Sequence, residues 1–272
     1  MGQMTKFVLA GFGNVGRQIA GAVLADPGGD LEIAAISARH LAAARQHART
    51  LGLNVPVIPA AQAPEHGDII VECATYEAFR DIVEPAVRAG CHVIAVSIGA
   101  LAANMDLIDL AEKSGATIQI ASGALPGLDA LRAARQGHIS SVKLVSHILP
   151  ASLAREPYIS EHNIDLAAAK TSPVQVFSGT ARLAAGHFPR HFNVAVALSL
   201  AGIGLDRTLV EIYANARLPG VRHTVSVEAD AVHLEMTSQN VPSPENHRTS
   251  AIVAPSILAA LRELNATLRV GS

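Results

Sequence analysis

With 272 residues, 50% of them hydrophobic and only 16% charged, the chain has enough apolar side chains for one large or two modest packed domains, and disorder is excluded. A formal net charge of −2 with scattered arginines leaves no basic run for a nucleic acid. No stretch approaches the roughly 18 apolar residues of a membrane span, so neither a nucleic acid nor a membrane is expected as a partner.

Aromatic residues make up 3% and Trp is absent, so the core must be built from Ala, Val, Leu and Ile, a composition that favours α/β layering. Two cysteines, Cys73 and Cys91, give neither a disulfide framework nor a zinc spacing. They read as buried free thiols and fit a reducing, cytoplasmic setting. The apolar stretch after Lys6 is broken at once by glycines and shows no cleavage signature, so no targeting segment is expected.

In chain order, residues 6–10 form a short apolar strand and residues 15–25 a helix with Val15, Ile19, Ala20 and Val23 on one face. Strands at 31–37, 68–74, 91–97 and 116–122 alternate with helices at 41–52, 77–89 and 105–115, the middle one with a bend expected near Pro85. Near-continuous apolar strands alternating with helices predict a parallel sheet covered on both faces.

After residue 122 the rhythm changes. A helix at 128–136 leads to a strand at 140–149. Residues 150–172 read as a loop punctuated by Pro150, Pro157 and Pro173. A strand at 174–179 and helices at 179–186 and 193–202 follow, then alternating strands within 208–239 with a hairpin at Ala229-Asp230-Ala231. This half reads as α+β with an open antiparallel sheet. A last helix spans 249–268, capped by Thr249 or Ser250, with Pro255 either kinking it or marking its true start. The expected organisation is a dinucleotide-binding domain at 1–122, a substrate domain at 123–250, and a C-terminal helix at 251–272 packing back on the first domain.

Gly11-Phe12-Gly13-Asn14-Val15-Gly16 follows a strand, opens a helix and starts a βαβ unit, which is the setting a G-x-G-x-x-G dinucleotide motif requires. The first glycine permits the turn, the second lets a pyrophosphate approach, and the third lets helix and strand pack closely. The helix start, with Asn14 and Val15, supplies N–H donors. The fold class is therefore α/β, a Rossmann-type doubly wound parallel sheet with a second α+β domain. A carboxylate at the end of the second strand would bind a ribose 2′-hydroxyl and repel a 2′-phosphate. This chain has Ser37-Ala38-Arg39-His40 there, so Ser37 and Arg39 are expected to accept NADP as well as NAD.

Longer motifs follow in order: Glu72-Cys73-Ala74, then Ser122-Gly123-Ala124-Leu125-Pro126-Gly127, then Phe188-Pro189-Arg190-His191-Phe192-Asn193-Val194. Val241-Pro242-Ser243-Pro244-Glu245-Asn246 with Thr249-Ser250 precedes the last helix. This set resembles the L-aspartate dehydrogenase family over nearly the whole chain. The resemblance implies reversible oxidation of L-aspartate by NAD or NADP to iminosuccinate, which hydrolyses to oxaloacetate and ammonia, in a homo-oligomer, commonly a dimer. It implies cofactor contacts from Ala124 and Asn193, with Cys73 and Ala74 at the same pocket, and His223 of the segment Pro219–Thr224 as the catalytic residue.

Amine oxidation needs a hydride acceptor and proton transfer, and a histidine with its ordinary pKa of about 6.5 supplies the latter near neutrality. His223, placed between two strands, is read as a loop side chain doing this, in a cleft between the two domains. His191 is a candidate for the cofactor carboxamide or a substrate carboxylate. A dicarboxylate calls for guanidinium or N–H donors, which makes Arg190, Arg222 and Arg248 candidates, with Thr249 and Ser250 adding hydroxyls. His187 and His191 lack a third ligand, so no metal is expected. Two further readings are a dehydrogenase or reductase for another amino or oxo acid, and a non-catalytic NADP-binding regulator.

Overall fold

The computed structural model describes residues 4–188, 193–246 and 249–271. The chain divides into two compact units, Met1–Gly123 with Val253–Arg269, and Ala124–Ile252 with Val270–Ser272.

In the first unit the elements are β1 (Thr5–Ala10), α1 (Asn14–Leu24), β2 (Leu31–Ser37), α2 (Leu41–Thr50), β3 (Val57–Ile58), β4 (Ile69–Glu72), α3 (Phe79–Arg88), β5 (His92–Ala95), α4 (Ile98–Leu101), α5 (Asp106–Ser114) and β6 (Thr117–Ile120). The described strands pair in parallel in the order β3-β2-β1-β4-β5-β6. Phe7, Val8, Leu9 and Ala10 are all fully buried, because β1 lies mid-sheet with both faces covered. In α3 the buried residues Phe79, Ile82, Val83, Ala86 and Val87 follow the helical period and define its inner face. The two-residue β3 was not anticipated; so short a strand carries no periodicity to read.

In the second unit come α6 (Leu128–Ala134), β7 (Ile139–Ile148), α7 (Pro150–Leu153), α8 (Pro157–Glu161), β8 (Val174–Thr180), α9 (Ala181–His187), α10 (Asn193–Ala201), β9 (Leu209–Ala214), β10 (Arg222–Ala229) and β11 (His233–Gln239). The stretch expected to be loop carries α7, α8 and a 3-10 turn at Leu166–Lys170. Pro150 and Pro157 open their helices at the first position, where a missing N–H costs nothing, so they mark starts and not breaks. The sheet order is β11-β10-β7-β9-β8. The β10–β11 hairpin and the β10–β7 and β8–β9 pairs are antiparallel, and β7–β9 is parallel, so the open sheet is mixed.

One face of this sheet is apolar. Val142 and Leu144 of β7, Val210 and Ile212 of β9, and Val225 and Val227 of β10 are essentially fully buried. The other face is half open and polar, with Lys143 paired to Glu211 at 2.7 Å and His147 stacked on Tyr213.

The chain then returns to the first unit as α11 (Val253–Glu263), whose Ala254, Ile257, Ala260 and Leu261 join the core of Phe7, Leu9, Ile19 and Ile33. Burial of Ile257 and Leu261 contributes about 1.5–3 kcal/mol each. Arg262 adds exposed ion pairs to Asp26 and Asp30, and Asn265 Nδ2 donates to Thr5 Oγ1 at 2.7 Å. Neither Thr249 nor Ser250 caps this helix. Ser250 is bridged to Pro242 and the Ala251 N–H donates to the Val241 carbonyl, so that backbone is committed to pairing and the helix starts at Val253. Pro255, third in the helix, marks its start.

Candidate active site

In the first unit the strand order reverses between β1 and β4, and a parallel sheet binds ligands beyond the strand ends at such a point. The glycine turn follows β1 there. Gly11 has φ of +112°, and a Cβ would lie 2.6 Å from the Cys73 carbonyl carbon and oxygen. A Cβ on Gly16 would lie 2.2 Å from the Gly11 oxygen, so helix and turn touch backbone to backbone. Gly13 is different: a Cβ would meet nothing within 4 Å, so the turn is open there, as a close-approaching pyrophosphate requires. Asn14 and Val15 begin α1, whose first N–H groups have no acceptor within the helix.

Cys73 and Ala74 follow β4. The Cys73 thiol donates to the Gly11 oxygen at 3.0 Å, and burial, aided by the Glu72 charge, pushes its pKa well up. It is a protonated strut beneath the turn and not a nucleophile. Glu72, unforeseen as a site residue, is fully buried. Its carboxylate accepts N–H bonds from Ala74 (2.9 Å), Val96 (3.2 Å) and Ser97 (2.9 Å), so it fixes the segments leaving β4 and β5. Burial raises its pKa, opposed by those bonds.

Ser37 closes β2. It is buried, and its Oγ has no partner among the described residues. Arg39 is exposed and likewise makes no ion pair or hydrogen bond there. The open space at Gly13, the orphaned Ser37 hydroxyl and the uncommitted Arg39 fit a nicotinamide dinucleotide, including one with a 2′-phosphate.

In the second unit the buried apolar sheet face ends in a polar row. Ser146, His223 and Ser238 are aligned across β7, β10 and β11. His223 is therefore a strand residue, 6% exposed, and not the loop side chain expected. Its Nδ1 lies 2.9 Å from Ser146 Oγ, and burial lowers its pKa to about 4. The premise of an ordinary near-neutral imidazole does not hold in the folded chain.

Ser238 Oγ donates to the Ala124 carbonyl at 2.9 Å and accepts from Asn240 Nδ2 at 3.3 Å. Ser250 Oγ in turn donates to Asn240 Oδ1 at 3.0 Å. This chain of bonds joins Ala124, Ser238, Asn240 and Ser250, and strand register sets Ser238 directly across from His223. Ser146, Ser238 and Asn240 were not singled out, because only strand register brings them to His223. With its proton given to Asn240, Ser250 is left as an acceptor and is poorly suited to a carboxylate. Thr249 Oγ1 accepts from Asn246 Nδ2 at 3.3 Å and keeps its own proton to donate.

Arg222 does not join this group. It neighbours His223 on a strand, so its side chain takes the opposite face, where Nε donates to Gln239 Oε1 at 3.1 Å. Its charge instead adds to the burial that lowers the pKa of His147. Asn193 stands first in α10. His191, Arg190 and Arg248 lie outside the described residues.

Residues 11–121 match the family model described as "Homoserine dehydrogenase, NAD binding domain", and residues 129–264 match "Aspartate dehydrogenase, C-terminal". The L-aspartate dehydrogenase of Bradyrhizobium diazoefficiens is 44% identical over 269 residues, 98% of this chain and 94% of that protein. L-aspartate dehydrogenase 3 of Bordetella bronchiseptica is 40% identical over 97% of this chain and 96% of that protein. The crystal structure of aspartate dehydrogenase from Thermotoga maritima superposes with a TM-score of 0.75 at 22% identity, covering 99% of this chain and all of that one, and shares the fold. With a relative 44% identical along nearly its whole length, the chain belongs to the L-aspartate dehydrogenase family.

Proposed function

We propose that this protein catalyses the reversible NAD(P)-dependent oxidative deamination of L-aspartate to iminosuccinate, which water converts to oxaloacetate and ammonia. The observation that carries this reading is the polar row of the second unit. Among the described residues His223 is the one buried histidine, and it closes an otherwise apolar sheet face. The first unit supplies the dinucleotide turn.

A bound nicotinamide ring supplies the acceptor for the hydride leaving the substrate Cα. The chain does the rest. The turn at Gly11, Gly13 and Gly16, with the start of α1 at Asn14 and Val15, holds a pyrophosphate by N–H donors. Ser37 and Arg39 receive the ribose and its 2′ substituent. The Glu72 carboxylate fixes Ala74, Val96 and Ser97 where the chain leaves β4 and β5, residues that would flank the bound cofactor. His223 hydrogen-bonds the reacting carbon's nitrogen or oxygen. Thr249, with Asn193 and His191, orients carboxylate and carboxamide groups. A homodimer and a cytoplasmic location accompany this reading, supported by the family membership and by two buried, unpaired cysteines. Among the described residues no helix is long and apolar enough to cross a membrane.

The test is oxidation of NADH and NADPH with oxaloacetate and ammonia, run beside other oxo acids. Turnover is expected with oxaloacetate above the rest, and His223→Ala should retain cofactor affinity while kcat falls about 100- to 10,000-fold. A preference for another oxo acid would transfer the reaction to that substrate, and cofactor binding without turnover would make the protein a sensor.

A further inference from the structure

We propose that Ser146 locks His223 into the tautomer with its proton on Nε2, so that the imidazole serves the reaction as a neutral hydrogen-bond donor and not as a base at that nitrogen. The proposal rests on the assignment of His223 above and specifies what the ring does.

Ser146 is fully buried in β7, and its backbone is flanked by paired strands on both sides, β10 and β9. Its hydroxyl has one proton to place. Among the described residues His223 Nδ1, at 2.9 Å, is the one acceptor bonded to it. If Nδ1 carried the proton, the Ser146 O–H would be buried with no acceptor. The cost of such an unmet donor biases the tautomers by about tenfold or more towards Oγ–H donating to Nδ1. The other serine in the row does not compete, because Ser238 already gives its proton to the Ala124 carbonyl.

Nor is the charged ring favoured. The groups facing His223 along the row are two serines, and burial alone accounts for its lowered pKa, with no carboxylate contributing. A neutral ring with Nδ1 occupied presents one functional group, the Nε2–H.

In the amination direction ammonia adds to C2 of oxaloacetate. The C–N bond forms, the carbonyl π pair moves to oxygen, and the Nε2–H donates to that oxygen as charge develops. The surplus proton on nitrogen passes through solvent water to that oxygen, which gives the neutral carbinolamine, and nothing is oxidised or reduced in this step. Loss of water from the adduct then gives the imine.

The experiment is a two-bond proton–nitrogen correlation spectrum of the full-length protein labelled with 15N-histidine, with the His223 signals identified by their loss in His223→Gln. At pH 7 the wild-type ring should show the neutral Nε2–H pattern, unchanged down to pH 5.5. In Ser146→Ala the minor Nδ1–H tautomer should grow about tenfold, and kcat should fall in proportion to the Nε2–H population lost, with the cofactor KM unmoved. Ser146→Thr, which restores a hydroxyl, should recover both. An Nδ1–H or imidazolium pattern in the wild type overturns the proposal even if Ser146→Ala does not fold, and so does a Ser146→Ala spectrum with the tautomer unchanged. Undiminished turnover in His223→Gln would remove His223 from the reaction whatever its tautomer, so the two readings fail separately.

Discussion

At the end of β2 an exposed guanidinium, Arg39, follows a buried hydroxyl, Ser37, that has no partner among the described residues. A charge-assisted bond to a 2′-phosphate contributes about 1.5–3 kcal/mol. Arg39→Ala should therefore raise the KM for NADP about ten- to a hundredfold and leave that for NAD within about twofold. Equal changes for both cofactors would place Arg39 elsewhere.

His223 makes a second prediction at the same scale. Its pKa falls from about 6.5 in the unfolded chain to about 4 in the folded one. Above pH 6.5 both forms are neutral and the group contributes nothing to the pH dependence. Below it the unfolded chain binds a proton that the folded ring refuses, so folding loses up to about 3 kcal/mol by pH 4. The stability advantage of wild type over His223→Gln should shrink by that amount between pH 7 and pH 4 in denaturant titrations; a constant difference would show that the ring is not desolvated. The glycine turn could be read from sequence because its meaning is local. The Ser146–His223–Ser238 row could not, since it exists only after β7, β10 and β11 are set in register.

Among the elements, the long apolar strands and α1, α2, α3 and α5 were legible because burial on both faces, or on one helical stripe, writes itself into the spacing of apolar residues. What escaped reading was set by distant partners. The pairing of β7 with β9 is parallel because the chain first runs back as the edge strand β8, antiparallel to β9, before β9 inserts beside β7. The start of α11 was misplaced because Ser250 is claimed by Pro242. That helix offers a stability test. Ile257 is fully buried against the core of the first unit, so Ile257→Ala should cost about 2–5 kcal/mol. Thermal unfolding with and without NADP checks it, and a loss below about 1 kcal/mol would mean that α11 is dispensable to that core.

At the scale of the whole molecule, two units with separate cores divide the labour. One carries the dinucleotide turn, the other the buried imidazole. The first is discontinuous in sequence, since α11 is reached only after the second has been traversed. On the ribosome, β1 to β6 emerge early and can pair. The slot that Ala254, Ile257, Ala260 and Leu261 will occupy stays oily and open for as long as the insert is being translated. The nucleotide-binding half, though made first, is finished last, and nascent chains stalled before Val253 are the species a chaperone should hold.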